Sequence, residues 1–151
     1  MDIRGSIRAQ LAAMKPPIKG SCLCGKVSYV CGEFPIWSVN CHCRSCQSLS
    51  GAPFVSAFSV PAHSVEFAGE TVSFKRNSDS GHEVVTTHCE TCGARIYAQS
   101  RGAANLTNIF ASTLEDASNF RPVSNVYLSE AVHWVSSPET IVNFPKMPLT
   151  K

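Results

Sequence analysis

Alternating apolar and polar positions run through most of this sequence, and they predict strands rather than helices. The alternation marks strands over Lys26–Gly32, Phe54–Val60, Val65–Phe67, Thr71–Lys75 and Glu83–His88. Further strands are predicted over Arg95–Ala98, Leu106–Phe110 and Val126–Leu128. Turn-forming runs such as Ala68-Gly69-Glu70 and Asn77-Ser78-Asp79-Ser80-Gly81 separate them. Helical pattern is confined to the opening stretch Met1–Met14, either a short amphipathic helix or a loose leader, and to one turn over Arg44–Leu49. The expected fold class is therefore mainly β. No repeat or linker divides the chain, so the expected organisation is an N-terminal arm over residues 1–17, ending at Pro16-Pro17, and one domain over 18–151.

Composition narrows the functional classes. The chain has 151 residues, 44% of them hydrophobic and 16% charged, which is enough apolar material for a core of its own. Net charge is +2, and Lys75-Arg76 is the only adjacent basic pair, so no stripe exists to track a phosphate backbone. Nucleic acid is not an expected partner. No stretch approaches the ~20 apolar residues of a membrane-spanning helix, and the opening residues lack the apolar core of a secretory signal. The expected location is the cytoplasm, where thiols stay reduced.

That compartment governs how the eight cysteines are read. They fall into Cys22-Leu23-Cys24-Gly25, a single Cys31, Cys41-His42-Cys43-Arg44-Ser45-Cys46, and Cys89-Glu90-Thr91-Cys92-Gly93. An even number permits a disulfide framework. Cysteines one or two residues apart are awkward to pair with each other, however, and are well placed to ligate one metal together. Each closely spaced pair offers half of a tetrahedral thiolate site. Cys89 and Cys92 have the common spacing, and Cys22 and Cys24 a tighter one; a glycine follows the second cysteine of each, letting the chain turn beneath the sulfurs. One inference joins these two halves and leaves Cys41, Cys43 and Cys46 as a compact trio. Three protein ligands with a vacant fourth position is the usual construction of a catalytic zinc.

The same residues resemble a known family. Gly20-Ser21-Cys22-Leu23-Cys24-Gly25-Lys26-Val27, the trio segment, Ser50-Gly51-Ala52-Pro53 and His88-Cys89-Glu90-Thr91-Cys92-Gly93-Ala94 are similar to the motifs of the glutathione-dependent formaldehyde-activating enzymes, which share a domain with centromere protein V. Ala111-Ser112-Thr113-Leu114-Glu115-Asp116, Pro122, Trp134 and Phe144 extend the likeness over roughly Ile18 to Pro145. The resemblance implies several coiled β-sheets around zinc sites, an Mss4-like or β-tent fold. It also implies two zincs per chain. Cys22, Cys24, Cys89 and Cys92 would hold a structural zinc; Cys41, Cys43 and Cys46 would hold an open zinc that carries the catalysis. The implied activity is that of a carbon–sulfur lyase, which joins glutathione and formaldehyde as S-hydroxymethylglutathione or cleaves that adduct. The chain departs from the family in having Gln47-Ser48 where basic residues are common, Ser112 for a glycine and Glu115 for an aspartate.

Other readings stay open at this level. The trio could serve a glutathione- or thiol-binding carrier, or the zincs could only stabilise a protein-interaction module. Arg44, Lys26, Arg76 and Arg95 are candidate cationic partners for substrate carboxylates, although each could equally be a solvated surface charge. Cys31 is expected as a small core residue, His42 and His88 as supporting or exposed residues, and His63 and His82 as exposed; closure of the trio by Cys31 or a histidine would favour the interaction module. Trp134 is expected in the core. Ser50–Pro53 is expected as a turn that can also wall a pocket, and Ile141–Phe144 as cover for the domain's own core or a partner's.

Overall fold

The computed structural model describes residues 2–148 and is mainly β, with two sheets and few helices. The opening stretch is a helix, α1 (Ile3–Ala12), none of whose residues is buried. The core begins just beyond it, where Met14 and Ile18 are 6% exposed. A small antiparallel sheet has the order β1 (Ile18–Ser21), β2 (Ser28–Cys31), β5 (Val65–Ala68). The larger sheet contains β3 (Trp37–Cys41), β4 (Val55–Pro61), β6 (Thr71–Asn77), β7 (Glu83–Cys89), β8 (Arg95–Ser100), β9 (Leu106–Phe110), β10 (Ser124–Val126) and β11 (Val142–Asn143). Its order is β11-β10-β3-β4-β9-β8-β7-β6. The pairs are antiparallel except β10 with β3 and β10 with β11.

Alternation along the strands sends side chains to two different apolar layers. Tyr29, Phe58, Val60, Ile96 and Ile109 fill the main core, joined by Cys31 of the small sheet and by Val27 from the turn before β2. Neighbours of opposite orientation, Ala57 beside Phe58 and Phe110 beside Ile109, enter a smaller layer with Val84 and Ala98. A register shift between Thr87 and His88 breaks the alternation where β7 meets β8.

The large sheet is strongly coiled, in keeping with the right-handed twist of strands. Tyr127, just beyond β10, donates a 2.6 Å hydrogen bond to Asp79 Oδ1 in the β6–β7 turn. Those two segments belong to opposite ends of the strand order, so the sheet curls until its flanks meet. The smaller apolar layer lies on the face it curls around.

Several elements differ from the sequence pattern, each for a local reason. The predicted strand Lys26–Gly32 contracts to β2 because its first residues close a turn, in which Cys22 N–H donates to Val27 C=O at 2.9 Å. β3 escapes prediction because its buried positions are the polar Ser38 and Asn40. Val126–Leu128 is displaced to Ser124–Val126, since Tyr127 takes a left-handed conformation (φ 57°) and ends the strand. Trp134 is a correction to the expected core: it is 67% exposed, edge-on to the ring of His133. The apolar closing segment covers its own chain, β11 adding alongside β10 with Val142 N–H bonded to Val123 C=O and Phe144 N–H to Asn125 C=O.

Candidate metal centres

Each cysteine cluster is built by a turn that folds backbone N–H groups onto sulfur. In the first, Val27 N–H donates to Cys22 Sγ at 3.2 Å, and Gly25 holds φ +80°. In the second, Cys92 N–H donates to Cys89 Sγ at 3.4 Å, Cys89 N–H bonds to Ala94 C=O at 2.9 Å, and Gly93 holds φ +75°. These positive angles are the left-handed region that glycine enters without penalty. The two turns are alike, since in each a backbone bond spans five residues from the first cysteine.

They face one another across the sheets. Cys22 follows β1 of the small sheet, while Cys89 ends β7 of the large one. The sulfurs of Cys22 and Cys24 are 3.6 Å apart and those of Cys24 and Cys89 3.7 Å. A tetrahedron with zinc–sulfur bonds of about 2.3 Å has edges of about 3.8 Å, so the donor set fits that ion. All four sulfurs lie within 4.8 Å of one another. The group could hold a metal ion.

The trio forms a second group. Cys41 closes β3, and Cys43 and Cys46 belong to the start of α2 (Arg44–Ser50). Cys43 caps that helix, its sulfur accepting from Cys46 N–H at 3.3 Å, and Gly51 ends it in the left-handed conformation. The three sulfurs also lie within 4.8 Å of one another and could hold an ion. Among the described residues neither group includes a histidine or Cys31. All eight cysteines are free thiols.

Hydrogen bonding within the trio divides its acidity. Bonds from the Cys41 and Cys46 thiols hold Cys43 far below the usual thiol range, helped by the Cys46 N–H, while Arg76 adds positive charge nearby. The neighbouring thiols push Cys41 up, and burial adds to the rise.

A buried polar frame fixes the trio's position. His42, 2% exposed, donates from Nε2 to Asn125 Oδ1 at 3.1 Å and lies against Phe54 with ring centroids 5.0 Å apart. Asn40 Nδ2 donates to the same oxygen at 3.1 Å. Asn125 in turn donates to Pro138 C=O at 2.7 Å, binding the closing segment to the site. Gln47, where the family favours a basic residue, is buried and donates to His42 C=O at 2.7 Å and Glu130 C=O at 2.9 Å.

The four cations singled out in the sequence separate. Lys26 and Arg44 are exposed, and Arg44 donates to Gln47 Oε1 at 2.6 Å. Arg95 is half-buried, with its guanidinium 4.3 Å above the Phe110 ring. Burial lowers its pKa, opposed by the neighbouring Cys46 thiol. Arg76, half-buried on β6, adds positive charge at Cys43. Cys31 is fully buried and bonded to Ser64 Oγ at 3.3 Å, a core residue as expected. His88 Nδ1 donates to Gly93 C=O at 3.2 Å, supporting the second turn, and His63 and His82 are exposed. Tyr127, Asn125 and Thr86 carried no motif, and nothing in the sequence alone pointed to them.

A cleft of about 620 Å³ is lined by Cys22 of the first group and by no cysteine of the trio, which it approaches through Val55. Its lining includes Phe54, Val55, Arg95, Phe110, Ser112 and Glu115. Val55 is the register partner of Cys41. Ser50 and Ala52 wall the cleft, as the turn after the trio suggested.

The sequence model of the glutathione-dependent formaldehyde-activating enzyme family matches residues 17–130. The chain belongs to this family. A crystal structure of a Rhodobacter sphaeroides protein, a structural-genomics target, superposes with a TM-score of 0.52 at 18% identity over 64% of this chain and 87% of its own. At that identity the likeness speaks for the fold alone. No curated protein matches the chain. The mainly β architecture and paired cysteine clusters are those of an Mss4-like fold, here with Ser112 and Glu115, two of the departures from the family's motifs, set in the cleft wall. Among the described residues no helix is long and apolar enough to cross a membrane.

Proposed function

We propose that this member of the family is a zinc-dependent enzyme of the carbon–sulfur lyase type, forming or cleaving the adduct of a small thiol and a small aldehyde. Glutathione and formaldehyde are the pair that the family's name suggests. The observation that carries the reading is the contrast between the two groups: four sulfurs complete one set, and three make the other. In this assignment Cys22, Cys24, Cys89 and Cys92 hold a structural zinc, and Cys41, Cys43 and Cys46 hold a zinc with its fourth position open to substrate.

A zinc bound by the trio would lower the pKa of a thiol entering that position. The protein's own part is to hold the trio rigid through His42, Asn125 and Gln47. The thiolate sulfur attacks the carbonyl carbon, the carbon–oxygen π pair moves to oxygen, and a proton from solvent completes the hydroxymethyl thioether. The reverse step returns thiol and aldehyde. Eight free thiols support a reducing location, which we take to be the cytoplasm. The Ser112 and Glu115 substitutions in the cleft wall favour a substrate that differs from the family's usual one.

The decisive measurement is metal content and zinc-edge X-ray absorption of reduced protein, with and without glutathione. Two zincs per chain, one with four sulfurs and one with three plus a light atom that added thiol replaces, is the expected result. Two closed sites indifferent to thiol would leave a zinc-stabilised interaction module. Thiol exchange without adduct formation from formaldehyde would leave a carrier.

A further inference from the structure

Unpaired polar atoms concentrate on one wall of the protein. Among the described residues six buried side-chain nitrogen or oxygen atoms make no hydrogen bond, and five belong to Arg76, Thr86, His88 and Arg95. Orphaned buried donors are costly, about 1–3 kcal/mol each, so their concentration in one place calls for a ligand.

Strand register puts these residues on one face. Arg76 on β6 is opposite Val84 on β7, and Thr86 is opposite both Phe74 on β6 and Ala98 on β8. Beyond the bulge His88 is opposite Arg95, whose guanidinium lies over Phe110, and His88 meets Phe74 edge-on at 5.5 Å. Val84, Ala98 and Phe110 are the smaller apolar layer, which also contacts Val55 beside Cys41. The orphaned groups therefore line the face that the coiled sheet turns toward the trio. Arg95 interacts with the Cys46 thiol, and the positive charge of Arg76 is felt at Cys43.

The two guanidiniums have no carboxylate of their own. None of the four ion pairs among the described residues includes Arg76 or Arg95. Glu115, across the cleft from Arg95, is exposed and unpaired with it. A divalent ion on three thiolates carries one net negative charge. An entering thiolate makes that charge two, which two guanidiniums balance, so it is their unpaired buried N–H groups and not net charge that call for a further acceptor.

We propose that Arg76, Thr86 and Arg95 form an anion subsite of the trio, which selects a thiol carrying a carboxylate within a few bonds of its sulfur. The inference rests on the open position assigned above. The two arginines supply charge-assisted donors, and the Thr86 hydroxyl a further donor, to carboxylate oxygens. Because the wall that carries both guanidiniums packs against Val55, the register partner of Cys41, the anionic group of the ligand must lie close to its reacting atom. Lys26 and Arg44, exposed and outside this wall, take no part.

The test compares 3-mercaptopropionate with 2-mercaptoethanol, which share the same two-carbon spacing from sulfur to the polar end. Each is titrated into cobalt-substituted protein, and binding is read from the sulfur-to-cobalt charge-transfer and d–d bands. The native protein is expected to bind the acid at least tenfold tighter. Arg95→Gln and Arg76→Gln should each reduce that preference severalfold while leaving 2-mercaptoethanol within twofold of native, and Arg95→Lys should keep part of it. Equal binding of the two thiols by native protein overturns the subsite but leaves the open position intact. Equal weakening of both thiols by the Gln variants overturns it too, and makes the arginines a counter-charge to the thiolates. If neither thiol alters the spectrum, the open position itself falls and the subsite with it.

Discussion

Tyr29 shows how a single buried group ties stability to pH. It is 2% exposed and donates to Thr113 Oγ1 at 2.9 Å; that oxygen in turn donates to Phe110 C=O at 2.7 Å. Burial raises its pKa from 10 to about 12, only partly offset by Thr113. A phenol with a raised folded-state pKa contributes stability that is fully present below its unfolded value and lost as pH rises through the folded one. Stability should therefore fall between pH 10 and about 12, by roughly 2–3 kcal/mol from this group. Urea denaturation across that range should show the fall in the native protein and a flatter profile in Tyr29→Phe. Cys31 illustrates the opposite case, a thiol whose sequence isolation already marked it as core, and whose full burial bears that out.

At the scale of elements, the two cysteine turns depend on their glycines. Nothing lies within 4 Å of a Cβ added at Gly93, so a side chain there meets no obstacle, only the φ of +75°. The expected cost of Gly93→Ala is thus backbone strain alone, about 1–2 kcal/mol. It should appear as a lower thermal midpoint with metal stoichiometry unchanged. Both glycines could be read from the sequence because the chemistry of a thiolate turn is local. β3 could not, and β10 was legible only out of place, because Ser38, Asn40, Ser124 and Asn125 are polar yet buried. Their burial is offset by bonds to distant groups, Ser38 Oγ to Arg121 C=O at 2.8 Å and Asn125 Nδ2 to Pro138 C=O at 2.7 Å among them. A periodic pattern of apolar residues cannot register strands held in this way.

For the molecule as a whole, the two sulfur groups occupy different structural positions. The group of four joins the small sheet to the large one beside the main core, while the trio sits at the end of β3 and the start of α2. A metal in the first group therefore cross-links the fold, and binding energy there is folding energy. Cys24→Ser should lower thermal stability by several kcal/mol or prevent folding. Cys43→Ser should lose or weaken one metal per chain yet keep near-native circular dichroism. Metal analysis alongside thermal melts of both variants checks the contrast; equal destabilisation would make both centres structural.

The sequence by itself determined the β class, most strand positions and the grouping of the cysteines, because alternation and close ligand spacing are properties of short segments. It also supplied the family motifs that the match over residues 17–130 bears out. Only the tertiary structure decided which surroundings the trio receives. Arg76 and Arg95 were two cations among four equivalent candidates until the pairing of β6, β7 and β8 set them on one face of the coiled sheet. Trp134, an apparent core residue, was left in solvent by the same packing. Contacts made by sheet curvature join residues far apart in the chain, and no local pattern of residue types encodes them.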